Sequence, residues 1–465
     1  MTPGIRMVVA CCCSCIGSSV AAQGVPVMID LGTLGGASSE AVALSDAGYV
    51  AGNSLRADGA HHAFRWTAAG GMADLGTLGG AFSEAVAVNA SGDVAGGAYL
   101  PGDAYHAFRW TAADGMEDLG TLGGAQSEAR AMNGAGQVVG QSERGDGSWH
   151  AFSWTPAGGM VDLGAGTRSD ALGVNGAGQV VGWTEQADGS RRAFSWTAAG
   201  GRVDLGAGAA IAVNAAGQVA GMTTLPDDSP GIFSWTETAG TVVLSCGRTL
   251  YDVLALGDGG HVVASSLGVA RVRSILWTAA GGCVDLGTLG GTHTVARAVN
   301  PGGQVVGWSS LWDDHPQHAF TWTADGGMVD LGYWGLDGLK GRANAVDSLD
   351  RVAGWSELVP LVPRDDFAYG PTHAVLWKTA PTAEIEQLVS TLAGMVLPRG
   401  TAISLAAKLA AVLAALDAQD VPDACDALAS FADAVAAQTG KKLTPEQAGP
   451  LGAAAADVRA MLQCP

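Results

Sequence analysis

Through the middle of the chain, apolar and polar residues alternate in runs of five or six, split by Gly, Asn or Asp. One stretch reads EAVAVN (84–89), DVAGG (93–97), HAFRWT (106–111) and GMEDLG (115–120). Period-two alternation in segments this short, with such punctuation, predicts strands and not helices. Turns such as NASG at Asn89, NGAG at Asn133 and NPGG at Asn300 supply residues that tolerate positive φ, as tight hairpins require.

The pattern then repeats as a whole. MIDLGTLGG at Met28 returns at Met72, Met116 and Cys283, in shorter form at Met160, Arg202 and Met328, and as the degenerate TVVLSCG at Thr241. Asp30, Asp74, Asp118, Asp162, Asp204, Asp285 and Asp330 lie 44, 44, 44, 42, 81 and 45 residues apart, the long step spanning the degenerate unit. Trp66, Trp110, Trp154, Trp196, Trp235, Trp277, Trp322 and Trp377 keep the same beat. Four strands in such a unit predict a propeller blade. The last unit lacks its DLG strand, whereas the first is preceded by an extra one, VPVMIDLG (25–32). Strand types balance only if the N-terminal strand completes the last blade, an arithmetic that a closed ring needs and an open stack does not. Residues 23–379 are therefore expected to form an eight-bladed β-propeller; a β-solenoid of two coils per repeat is the alternative. In a propeller the DLG strand is outermost, the Ala-rich strand after TLGG innermost, and the tryptophans fill the space between blades.

After Trp377 the period changes. Ile403, Leu405, Leu409, Val412, Leu413 and Leu416 follow helical spacing, and Pro398, Pro422 and Pro445 divide residues 380–465 into helices near 383–396, 401–418, 422–439 and 445–463. Thr444-Pro445-Glu446-Gln447 reads as an N-cap, a Pro at the first helical position and a capping Gln. At the other end, residues 1–22 carry one charge, Arg6, then a small-apolar run ending Val20-Ala21-Ala22, which predicts a secretory signal. Lipid attachment at Cys11 is the alternative. Nothing later reads as a stop-transfer segment, so an extracellular monomer is expected. Its mature form keeps Cys246, Cys283, Cys425 and Cys464, which allow three pairings. Cys425 and Cys464 share the helical segment and are expected to pair; a Cys246–Cys283 bond is left open.

The repeated HAF-x-W, GM-x-DLG-TLGG and VN-x-x-GQVVG strings resemble the HAF-repeat family of bacterial extracellular proteins. His62-Ala63-Phe64, His106-Ala107-Phe108, His150-Ala151-Phe152 and His318-Ala319-Phe320 match in full, His373-Ala374-Val375 in part, and Arg192-Ala193-Phe194 has lost its His. The resemblance implies secretion and a repeated β fold, and brings no activity with it. LAAKLAAVLAAL (405–416), ALASFADAVAAQTGKKLTPEQA (427–448) and Cys464 resemble the small FIMAH-type helical domain, an accessory module of secreted proteins.

A formal charge of −20 argues against nucleic acid as a partner. The recurring histidines and DLG aspartates sit one per blade, too far apart for one metal or a carboxylate dyad. They are expected to bond backbone or each other, and no metal or cofactor is expected. Variation concentrates in the loops between second and third strands, all on one face, where function is grafted onto a constant frame. From them Tyr99, Tyr105, Trp149, Trp312, Asp313, Asp314, Asp365, Asp366, Phe367 and Tyr369 are taken as the ligand face. The function expected is a non-enzymatic binding or scaffold protein for an extracellular polysaccharide or a cell-surface protein. The alternative is a propeller hydrolase or lyase with its site at the channel mouth.

Overall fold

The computed structural model describes residues 27–464 apart from 69, 248, 269–270, 312–316, 333–339, 358–370, 379–384, 386–387, 390, 393–394, 396, 418–419 and 463. The strands, numbered in chain order, form eight antiparallel four-stranded sheets. Blade one runs β2 (Gly35–Leu44), β3 (Val50–Arg56), β4 (His61–Thr67) and β5 (Gly71–Asp74). Blade eight joins β30 (Gly341–Val346), β31 (Val352–Glu357) and β32 (Thr372–Lys378) to β1 (Val27–Gly32), so the chain closes its own ring and the solenoid alternative falls. First strands of successive blades touch one another around the axis, which makes the Ala-rich strand the innermost.

The repeat motifs make the joints between blades. Phe64 and Trp66 pack against Ala353, Ala374 and Leu376 of blade eight, and Phe108 against Ala51 and Ala63 of blade one. Each such Phe is fully buried, contributing roughly 2–3 kcal/mol. A serine at the start of the inner strand spans the same joint: Ser83 Oγ accepts from Ala63 N at 2.9 Å and donates to Gly76 O at 2.6 Å. The HAF histidine and DLG aspartate pair within a blade, His62–Asp74 at 2.7 Å and His318–Asp330 at 2.7 Å.

Three helices follow: α1 (Arg399–Asp417), α2 (Val421–Gln438) and α3 (Pro445–Met461). Most of the helix expected over 383–396 lies outside the described residues; Ile385, Leu388 and Leu392 do pack into the helical core. Gln447 N bonds Thr444 Oγ1 at 3.3 Å and Thr444 N bonds Gln447 Oε1 at 3.0 Å, the reciprocal cap the sequence predicts. Residues 399–416 have the length and apolar character of a membrane span, yet Leu405, Leu409 and Val412 are buried in the helical core. Cys425–Cys464 bond as expected. Cys246–Cys283 bond as well, joining the chain just past the outer strand of blade five to the outer strand of blade six. Both bonds suit an extracellular setting.

Candidate active site

The inner strands begin on the same face as the variable loops, and there one register position recurs. Glu40, Glu84, Glu128, Asp170 and Asp252 stand opposite Asn53, Gly97, Gln141, Trp183 and Ser265 of the second strands. Ala209, Val295 and Arg342 take the place in the other three blades. The channel mouth therefore carries an acid on five of its eight blades and an arginine on a sixth, a feature the sequence reading passed over. Its signal was present: S-E-A or S-D-A recurs at Ser39, Ser83, Ser127 and Ser169, where attention to alanine concealed the acid beside it.

Blades two and three turn this ring into a cavity of about 700 Å³. Glu84, on β6 (Ser83–Val88), and Glu128, on β10 (Gly123–Met132), face it with Arg130, Asp103 and Gln126. Phe82, Tyr99 and Tyr105 form its wall. Tyr99 ends β7 (Val94–Tyr99) and Tyr105 opens β8 (Tyr105–Thr111), and as cross-strand partners their rings lie 5.2 Å apart, edge to face. Phe82 meets Tyr99 at 5.8 Å and is backed by His61, stacked at 4.8 Å. Gly97 is what lets Tyr105 lie across the sheet, since a Cβ there would sit 2.1 Å from the phenol oxygen. Other blades carry Asn53, Gln141 or Trp183 at that point, so the cavity belongs to blade two by substitution, not by repeat.

The two carboxylates have unlike neighbours. Tyr105 Oη donates to Glu84 Oε1 at 2.6 Å. Burial, then the Glu84 carboxylate, pushes that phenol well above its usual range, which keeps it a donor. Glu128 Oε2 instead accepts from Arg130 Nη2 at 2.8 Å and Gln141 Nε2 at 2.9 Å. The Nε of Arg130 reaches on to Asp170 Oδ2 at 3.3 Å. Asp170, on β14 (Arg168–Val174), is 5% exposed, and its Oδ1 is buried with no partner. Burial pushes its carboxyl up to about 6, against the pull of Arg130.

Of the residues expected on the ligand face, the structure brings Tyr99 and Tyr105 together at this cavity. Trp149 opens β12 (Trp149–Thr155) opposite Glu143, half-buried and outside the cavity lining. Trp312, Asp313, Asp314, Asp365, Asp366, Phe367 and Tyr369 lie outside the described residues. Among the described residues, no three His, Cys, Asp or Glu side chains converge as metal ligands.

No protein-family model and no curated protein matches the chain. Among solved structures it is similar to the β-propeller domain of the Trilobed protease from Pyrococcus furiosus, at 10% identity and TM-score 0.44 over 63% of this chain and 95% of that one. It is also similar to Porphyromonas gingivalis dipeptidyl peptidase 4, at 11% identity and TM-score 0.48 over 71% of this chain. A third is a Mycobacterium tuberculosis puromycin-hydrolyzing peptidase, at 13% identity and TM-score 0.45 over 69% of this chain. The chain spans 56% and 57% of those two peptidases' lengths. At such identities the likeness is one of fold. The expectation of a non-enzymatic binding or scaffold protein is corrected here: the solved structures the chain is similar to are peptidases and the propeller domain of a protease, and two carboxyl groups, Glu84 and Glu128, face one cavity at the channel mouth.

Proposed function

We propose that the chain is an exported hydrolase acting on glycosidic bonds at the acid-bearing channel mouth. The observation carrying this reading is the pair Glu84 and Glu128, on adjacent blades, facing one aromatic-walled cavity with different partners. Hydrolysis of a glycosidic bond asks for two carboxyl groups in unlike roles. Glu84, whose Oε1 accepts the Tyr105 hydrogen bond, carries its proton on Oε2 and gives it to the departing oxygen as the carbon–oxygen bond breaks. Glu128, fixed by Arg130 and Gln141, takes a proton from the water whose oxygen bonds to that carbon. Proton count and electron pairs balance, and no cofactor takes part. Tyr99 and Phe82 offer flat apolar faces to a sugar ring. Export fits the two disulfides and the signal-like residues 1–22.

The test is reducing-end release by the full chain from a panel of polysaccharides. Glu84→Gln and Glu128→Gln should each lower kcat by at least about 100-fold, the scale of lost acid–base catalysis, at unchanged melting temperature. A wild-type chain inert on the whole panel, or variants as active as wild type, overturns the reading.

A further inference from the structure

The joints between blades repeat one arrangement, and the first two are filled by arginine. Arg65, on the third strand of blade one, stands opposite Ala51. Its guanidinium lies over the Trp110 ring of blade two, 4.7 Å from the ring centre, and its Nη1 donates to Gly92 O at 3.4 Å. Arg109 fills the next joint. Its Nη2 bonds Asp93 at 2.6 Å, and its Nε lies 3.0 Å from where a Cβ on Gly136 would stand. The space beside such a tryptophan and such a turn is therefore shaped for a guanidinium.

Between blades four and five the same space has no arginine of its own. Ser195, on β16 (Arg191–Thr197), takes the register position of Arg65, opposite Val181, and accepts from Gln179 Nε2 at 2.9 Å. Trp235, on β20 (Pro230–Thr236), takes that of Trp110, and Gly217 closes its turn as Gly92 does. Ser195, Trp235 and Gly217 line a groove of about 640 Å³, and among the described residues lining it there is no Lys or Arg. Glu237 lines it as well and is exposed. In no other unit is the residue two places after this tryptophan an acid; Ala112 and Ala198 hold that place in blades two and four. The turns framing the groove join first to second and third to fourth strands, so it opens on the face opposite the channel mouth.

We propose that this groove is a docking slot for an arginine side chain of a partner protein, its guanidinium flat on Trp235, donating to Gly217 O and paired with Glu237. The ring and the carbonyl are those that Arg65 meets at its own joint, and the added carboxylate draws in a cation that must come from outside. A guanidinium is planar, weakly hydrated and stacks on aromatic faces, whereas a lysine ammonium is a compact, strongly hydrated point charge that covers no ring. A neutral sugar can lie on the tryptophan but makes no use of the charge on Glu237. The chain's formal charge of −20 favours a basic partner. Nothing in this slot depends on the carboxyl groups of the mouth.

The test is calorimetric titration of the full chain with a blocked tripeptide carrying one central arginine, with its lysine and citrulline counterparts, and with a neutral glucan hexamer. The arginine peptide should bind at least about ten-fold more tightly than the other three and weaken as salt rises. Glu237→Gln, at an exposed position, should weaken it by about three-fold. Ser195→Arg, which restores the cation of the repeat, should abolish binding with the melting temperature kept. Should that variant fail to fold, Glu237→Gln and the citrulline peptide decide alone. Equal binding of citrulline or lysine, preference for the glucan, binding that survives Ser195→Arg, or no binding at all overturns the proposal. So does self-association of the chain in sedimentation that Ser195→Arg removes, since the occupant would then be a second copy.

Discussion

At the scale of single residues, one geometry is met by different chemistry from blade to blade. In blade four, Arg192 stands where other blades carry the HAF histidine, and its Nε bonds Asp204 at 2.6 Å. Blade six uses Arg273, 4.0 Å from Asp285. Blade five has Gly231 and Val243 in these positions, and there the Cys246–Cys283 bond links the blade's outer edge to blade six. Asp170 follows another logic, since it is a buried charge with an unmet oxygen. Its carboxyl lies at about 6, above the unfolded value, so the folded chain binds the extra proton. Stability from this group is fully present below about pH 4 and is lost as pH rises through about 6, on the order of 3 kcal/mol across two pKa units. Asp170→Asn should flatten that slope in denaturant titrations between pH 4 and 7; parallel wild-type and variant curves would show that the carboxyl is not so displaced. Tyr99 and Tyr105 were legible in the sequence because they interrupt the repeat. Glu84 and Glu128 were not, because they obey it: a ring position looks like scaffold until the structure shows it facing a cavity.

At the scale of elements, the ring has one seam held without chain continuity. β1 pairs with β32 from Val27 opposite Lys378 to Gly32 opposite Ala374. His373 Nδ1 bonds Asp30 at 2.9 Å, and Ser39 Oγ accepts from Ala374 N at 2.8 Å, repeating across the seam what other blades do internally. The strand balance made this closure readable, because a missing last strand and a surplus first one have a single joint solution. Burial raises the Asp30 carboxyl, but the His373 and Gly32 hydrogen bonds outweigh it and hold the group below its usual value. A depressed carboxyl contributes stability that is present above the unfolded value and lost as pH falls through the folded one. Asp30→Asn should therefore lower the melting temperature at neutral pH by roughly 2 °C, for about 1 kcal/mol, and the gap to wild type should shrink below about pH 4. A gap that persists in acid would assign the loss to packing, not to charge.

At the scale of the whole molecule, the helical domain grips the ring beside that seam. Asp457 on α3 reaches Lys378 Nζ at 2.8 Å, on the residue that ends β32, and Arg351 Nη1 at 3.2 Å in blade eight. Arg351 also bonds Asp347, and its Nη2 donates to Asp46 O of blade one at 2.9 Å. One carboxylate thus ties the helices to two cations of blade eight, one of which reaches on to blade one. The Cys425–Cys464 bond tethers α2 to the chain just beyond α3, closing a loop for about 4 kcal/mol. Lys378 and Arg351 are 2% and 5% exposed, so removing Asp457 takes a carboxylate away from two buried cations. Breaking a buried pair on one side costs about 3–5 kcal/mol, whereas replacing both sides with apolar groups is often close to neutral. Asp457→Ala should therefore split a single calorimetric transition into two, the helices melting first, and lower the propeller's own melting temperature. Lys378→Met combined with Asp457→Leu should recover most of that loss. If Asp457→Ala instead leaves one transition at the wild-type temperature, the helices ride on the propeller without bracing it. The sequence could not show this contact, because Asp457 is an ordinary helix acid until a buried lysine about eighty residues earlier in the chain gives it a task.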